Sequence, residues 1–144
     1  MKKILSFLIF IFVVNSCAIY YIPLDSFKEQ FAGIDSTKLV EVTLAGPLIA
    51  EYHYLANPLT VIKCTDKKGN PHQLINKPSL EVRFTYGQKK KRKIFYFDRL
   101  FVNTHSVTGV QSRFIDSFRS TIPLDSITKI EIQDGKKNFK YKNK

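Results

Sequence analysis

The sequence predicts an all-β protein: a single small barrel or two-sheet sandwich of about seven short antiparallel strands, preceded by a cleaved signal peptide and one short helix. Three observations predict it. From residue 38 onward apolar side chains recur with period two. The segments that carry them are short and rich in β-branched and aromatic residues, and turn residues separate them. No stretch after residue 38 keeps a helical period beyond a couple of turns. These observations bound a β domain over 38–144; ahead of it the expected organisation is a signal peptide over 1–16 and, over 17–37, Cys17 with a lead-in and short helix.

At the N-terminus, Lys2 and Lys3 precede an apolar run from Ile4 to Val14 broken only by Ser6, followed by Asn15, Ser16 and Cys17. That is the charged, apolar and small-residue order of a secretory signal. A bilayer-spanning helix takes about 20 apolar residues, more than this run supplies. The cleavage point resembles the lipobox cut by lipoprotein signal peptidase, which implies that Cys17 becomes the acylated N-terminus. Asn15 departs from the small or hydroxyl residue usual at its place, and cleavage after Ala18 by the ordinary signal peptidase is the alternative.

Removing 1–16 from 144 residues leaves enough chain for one domain with a real core but not for two. The net charge falls from +11 to +9 as Lys2 and Lys3 leave. Export removes nucleic acid as a partner. What remains is the membrane through lipid on Cys17, anionic headgroups, acidic glycans or another envelope protein. With Cys17 acylated, Cys64 has no partner for a disulfide, and the pattern Thr60, Ile62, Cys64 places it on one strand face as a small buried hydrophobe.

Ser26 and Glu29 have the spacing of a capping box and predict a helix over 27–32, with Phe27 and Phe31 on one side and Gly33 as its stop. Strands follow over 39–44, 47–54, 59–65, 79–86, 93–101, 127–133 and 138–142. In the clearest of them Leu80, Val82, Phe84 and Tyr86 alternate with Glu81, Arg83 and Thr85, one face buried and the other wet. Asp134-Gly135 predicts a two-residue hairpin that sets Ile130 opposite Phe139 and Glu131 opposite Asn138. Segments 66–70 and 87–92 read as two longer hairpin loops.

Residues with chemistry to offer are few. His53 shares a strand face with Glu51, but none of His53, His72 and His105 has a second ligand at metal spacing on its own element. There is no G-x-S-x-G, H-E-x-x-H, C-x-x-C or glycine-rich phosphate loop. The expectation is a protein without catalysis, cofactor or metal. The most unusual local feature is the run Lys89, Lys90, Lys91, Arg92 and Lys93 at a hairpin tip, a candidate for binding anionic surfaces or a solubilising, edge-protecting loop. Lys136, Lys137, Lys140, Lys142 and Lys144 add to the positive field as the wet face of the last strand.

Asp-Ser pairs are turn and cap formers. Asp35-Ser36-Thr37 and Asp125-Ser126-Ile127 also resemble the acceptor motif for O-glycosylation of exported proteins in Bacteroidota, which makes Ser36 and Ser126 glycosylation candidates. Ile-Pro-Leu-Asp-Ser occurs at 22–26 and again at 122–126, read as repeated use of a proline turn rather than a duplicated domain. Residues 122–132 resemble the strand, tight turn, strand ending of SH3-like small barrels, which implies fold alone.

The whole chain resembles small lipoproteins of the kind common in Bacteroidota. The likeness lies in the Lys-Lys leader ending Asn15-Ser16-Cys17, the 22–26 helix start and the ending over 127–141. It implies no particular activity. The acidic surface-export stretch of that group is absent after Cys17, which favours lipid anchoring in the envelope facing the periplasm. The leading expectation is therefore a membrane-anchored binding or scaffolding module. The alternative is a carrier or sensor that holds a small hydrophobic ligand in a β-cavity.

Overall fold

The computed structural model describes residues 18–144; the expected signal peptide and the expected lipidation of Cys17 fall outside the described residues. The chain is mostly strand with one α-helix. In order, it forms β1 (Ile19–Tyr21), α1 (Leu24–Phe31), β2 (Val40–Gly46), β3 (Ile49–Ala56), β4 (Val61–Thr65), β5 (Pro71–Ile75) and β6 (Leu80–Tyr86). Then follow β7 (Lys91–Tyr96), β8 (Phe101–Val102), β9 (Ser106–Val110), β10 (Arg119–Pro123), β11 (Ile127–Asp134) and β12 (Lys140–Tyr141).

Three antiparallel sheets result: β5-β4-β1-β11-β6-β7, β10-β9-β8 and β12-β2-β3. None closes into a barrel, so of the two expected architectures the sandwich-like one holds. The expected strand, tight turn, strand at 122–132 is present as β10, a 3-10 turn over Leu124–Ser126, and β11.

The two Ile-Pro-Leu-Asp-Ser segments adopt one local conformation. Pro23 (φ −56°, ψ 141°) and Pro123 (φ −61°, ψ 131°) each stand extended ahead of a helical turn. A buried isoleucine, Ile22 or Ile122, precedes each. The first turn propagates into α1, and the second stops where Ile127 joins β11.

α1 starts three residues earlier than the capping box predicts. Pro23 occupies the cap without a side-chain bond, and its carbonyl accepts from Phe27 N–H at 2.9 Å. Ser26 lies inside the helix instead, accepting from Gln30. Phe27 and Phe31 do share the buried face, their rings 4.9 Å apart. They pack into the main core with Phe84, Phe95, Phe97 and the isoleucines of β11. A second, smaller core of Val42, Leu44, Tyr54 and Ala56 lies under the β12-β2-β3 sheet.

The 66–70 loop is a hairpin, closed by Asp66, which accepts from the backbone of Lys68 and Asn70 at 2.8 and 2.9 Å. Four other expectations fail for physical reasons. Residues 17–37 are not all a lead-in outside the domain, because β1 is an interior strand between β4 and β11. The strand expected over 93–101 breaks after Tyr96 into a 3-10 turn over Phe97–Arg99, which buries Asp98 and moves the chain to the next sheet. β5, β9 and β10 escaped notice as short strands of mixed polarity.

The Asp134-Gly135 hairpin does not form. β11 already has β1 on one side and β6 on the other, which leaves no free edge for a returning strand. Ile130 faces Phe84 and Glu131 faces Arg83. Gly135 stays bonded to Ser79 O at 2.8 Å, Lys136 takes φ 51°, and the chain crosses to pair Lys140 with Ala45 and Tyr141 with Leu44.

Candidate functional site

The 135–139 segment crosses from one sheet to another and shapes the surface beside it. Between this segment, β12 and the 75–79 connection lies an open groove of about 830 Å³. Its rim carries Lys77, Lys136, Lys137, Lys140 and Lys144 against a single carboxylate, Asp134. Ile75, Phe139 and Tyr141 supply apolar wall.

The cations are held in different ways. Lys77 pairs with Asp134 at 2.5 Å. Burial works against the Asp134 carboxylate, but hydrogen bonds from Lys77, Ser79 and the Lys136 backbone outweigh it and hold its pKa below the ordinary value. Lys137 donates to Glu81 and to the Tyr96 hydroxyl, both at 2.7 Å. Burial would lower its pKa, and those two partners raise it on balance. The Lys144 ammonium donates to Asn57 O at 3.1 Å and lies 5.0 Å from the Tyr141 ring centre. Burial lowers its pKa, which the Asp98 carboxylate offsets only in part.

Asn76 lines the same groove and is buried. Its amide orientation follows from its neighbours, because Nδ2 faces two acceptors, Asn57 Oδ1 at 3.1 Å and Leu59 O at 2.8 Å. Oδ1 is thereby left as a buried acceptor with no donor.

Beneath the groove a charged hub joins all three sheets. Asp98 and Arg113 have no exposed side-chain surface, and both guanidinium Nη atoms reach the carboxylate at 3.2 Å. Asp98 also accepts from Tyr54 on β3 and, at 2.7 Å, from Tyr141 on β12. Arg113 donates to Tyr54 at 2.7 Å and to Pro78 O, and lies 4.0 Å from the Tyr96 ring centre. Burial and then the Asp98 charge push both tyrosine pKa values up, so their hydroxyls remain donors. Every charge in this hub is satisfied internally apart from Arg113 Nε, which fits a structural role. Sequence reasoning passed over it, since one Arg and one Asp 15 positions apart carry no motif.

The residues singled out from sequence are scattered. Lys89 and Lys90 sit at the tip of the β6–β7 hairpin, with Gly87 at φ 70° and Lys90 at φ 47°. Lys91, Arg92 and Lys93 lie on β7, the end strand of its sheet, where charge opposes addition of a further strand. None of these five lines the groove. Of the basic tail, Lys142 pairs with Glu51, and the other four rim the groove instead of merely wetting a strand face.

Cys64 is buried, its thiol pushed up to about 11 by that burial, and it donates to His72 O at 3.6 Å. His53 lies 3.9 Å from Glu51. Ser36 is exposed beside Asp35, whose carboxylate caps Thr37. Ser126 donates to Pro123 O at 2.7 Å. Among the described residues no group of three His, Cys, Asp or Glu side chains is placed to hold a metal ion. No family model, no curated protein and no solved structure matches this chain.

Proposed function

We propose that the protein is a membrane-anchored envelope lipoprotein, lipidated on Cys17, whose β domain is a non-catalytic binding module with its site in the lysine-rimmed groove. The observation that carries the binding reading is the contrast between a core filled by phenylalanine and isoleucine side chains and an open cationic groove on the surface. A carrier of a small hydrophobic ligand calls for an enclosed apolar cavity, whereas this groove opens to solvent with five lysines at its rim. The lipid anchor rests on the signal-like N-terminus and on the position of Cys17 directly after Ser16.

Metabolic labelling with a palmitate analogue tests the anchor. The wild-type protein takes up label and fractionates with membranes, and Cys17→Ala loses both properties. Equal labelling of the two proteins overturns the reading.

A further inference from the structure

We infer that the groove and the apolar loops beside it form a membrane-contacting face, with the lysines taking the phosphates of anionic phospholipids. This deepens the proposed function by naming what the groove binds. Three independent observations meet at this face.

The first is topological. Ile19, the first residue of β1, lies opposite Gln133, next to Asp134 at the groove wall. The chain therefore enters the domain at the groove end of β11. The opposite end, where Ile127 faces Tyr86 and leads to the Lys89–Lys90 tip, is about 20 Å further along the strand at 3.4 Å per residue. A lipid two residues ahead of Ile19 brings the groove end to the bilayer and leaves the Lys89–Lys90 tip more than two Debye lengths away at physiological salt.

The second is charge. Lys77 and Lys137 are paired with Asp134 and Glu81, and the five lysines of the lining still outnumber the carboxylates they meet, which suits an anion.

The third is exposed apolar surface around Phe139. The Phe114 ring packs edge-on against Phe139 at 6.0 Å, and its loop also presents Ile115 and Phe118, which are 46% and 56% exposed. On the other flank Gly46, against which the Phe139 ring is pressed, leads into the β2–β3 turn, where Leu48 is 98% exposed. Apolar tips beside a lysine rim suit the boundary between headgroups and acyl chains, with the cations kept at phosphate depth. A soluble acidic ligand would use the lysines and leave Leu48, Ile115 and Phe118 without a role.

The chain contains no tryptophan, so one introduced residue reports alone. The chain from residue 17 onward is made with Cys17→Ala, so that no acyl chain holds it to vesicles, and is prepared as Phe118→Trp, Leu48→Trp and, at the far tip, Gln88→Trp. Each is mixed with vesicles of phosphatidylcholine, with or without phosphatidylglycerol, that carry brominated acyl chains. The expected result is a blue shift and bromine quenching for Phe118→Trp and Leu48→Trp with phosphatidylglycerol present, and none for Gln88→Trp. Adding Lys140→Gln and Lys144→Gln to Phe118→Trp lowers the apparent affinity for anionic vesicles about 25-fold, at about fivefold per lysine. Adding Lys89→Gln and Lys91→Gln in their place changes it less than about twofold, because the tip lies beyond the screening length.

Quenching at Gln88→Trp alone, or at none of the three positions, overturns the inference. So does quenching that ignores the lipid charge. Flotation on pure phosphatidylcholine vesicles separates this inference from the anchor: a protein without acylation fails to float there, yet still binds phosphatidylglycerol vesicles through the groove face.

Discussion

Replacing either partner of the Asp98–Arg113 pair is expected to be among the most damaging single changes in the domain, and replacing both is expected to be far less than additive. Both side chains are fully buried, and Asp98 is further tied to Tyr54 and Tyr141. Arg113→Met leaves the carboxylate with two hydroxyl donors and only the Lys144 ammonium, outside bonding contact, as countercharge. Asp98→Leu leaves the guanidinium with Pro78 O and the Tyr54 hydroxyl. Breaking a buried pair by removing one partner costs about 3–5 kcal/mol. For a domain of this size that corresponds to a fall in Tm of about 10–20 °C. In Arg113→Met/Asp98→Leu no charge is stranded, and the losses that remain are the unpaired tyrosine hydroxyls and Pro78 O at about 1–3 kcal/mol each. The double variant should therefore be about 1–3 kcal/mol more stable than the sum of the singles implies. Urea denaturation followed by circular dichroism measures all three, with an unchanged m-value as the check that the unfolded state is comparable. Strict additivity, or an Arg113→Met variant within about 1 kcal/mol of wild type, refutes the assignment of this hub as a coupled buried ion pair.

Two further outcomes follow from local packing and burial. A Cβ at Gly109 would come within 2.4 Å of Phe95 Cγ, so Gly109→Ala should destabilise by about 1–3 kcal/mol in the same denaturation assay, and no change would mean that β9 does not press on β7 as described. The Cys64 thiol, ordinarily near 9.0, ionises only at about 11 in the fold; it should resist iodoacetamide at mildly alkaline pH until urea unfolds the chain, and as pH rises from 9 towards 11 the unfolded state releases this proton first, so stability falls there by an amount that Cys64→Ala lacks.

Much of the fold was legible from local pattern. Leu80 to Phe84 alternates as it does because one face of β6 meets the main core, and the expected burial followed that far; at the strand's end it departs, with Thr85 buried and Tyr86 half-buried. Asp66 to Asn70 closes its hairpin through bonds within a few residues, so nothing distant can overrule it. Phe27 and Phe31 share a helical face whatever the helix docks on. The start of that helix was less legible, since Pro23 and Ser26 both signal an N-terminus and only the buried position of Ile22 favours the proline.

Where local signals compete for a partner, sequence alone misleads. Asp134-Gly135 has ideal hairpin chemistry, yet the turn goes unused because β1, from the far end of the chain, already occupies the edge of β11. That long-range pairing also decides where the lysines gather. Composition and order determined by themselves that the chain has a signal-like leader, a strongly basic surface and a β-rich domain, since these depend only on residue type and local period. Tertiary structure alone decided which lysines stand together. Lys77 and Lys144 lie 67 positions apart yet rim one groove with Lys136, Lys137 and Lys140, whereas the contiguous run from Lys89 to Lys93 stays on a distant tip and edge. Proximity on a folded surface is set by sheet order and crossing, which are global properties of strand pairing that no local window contains.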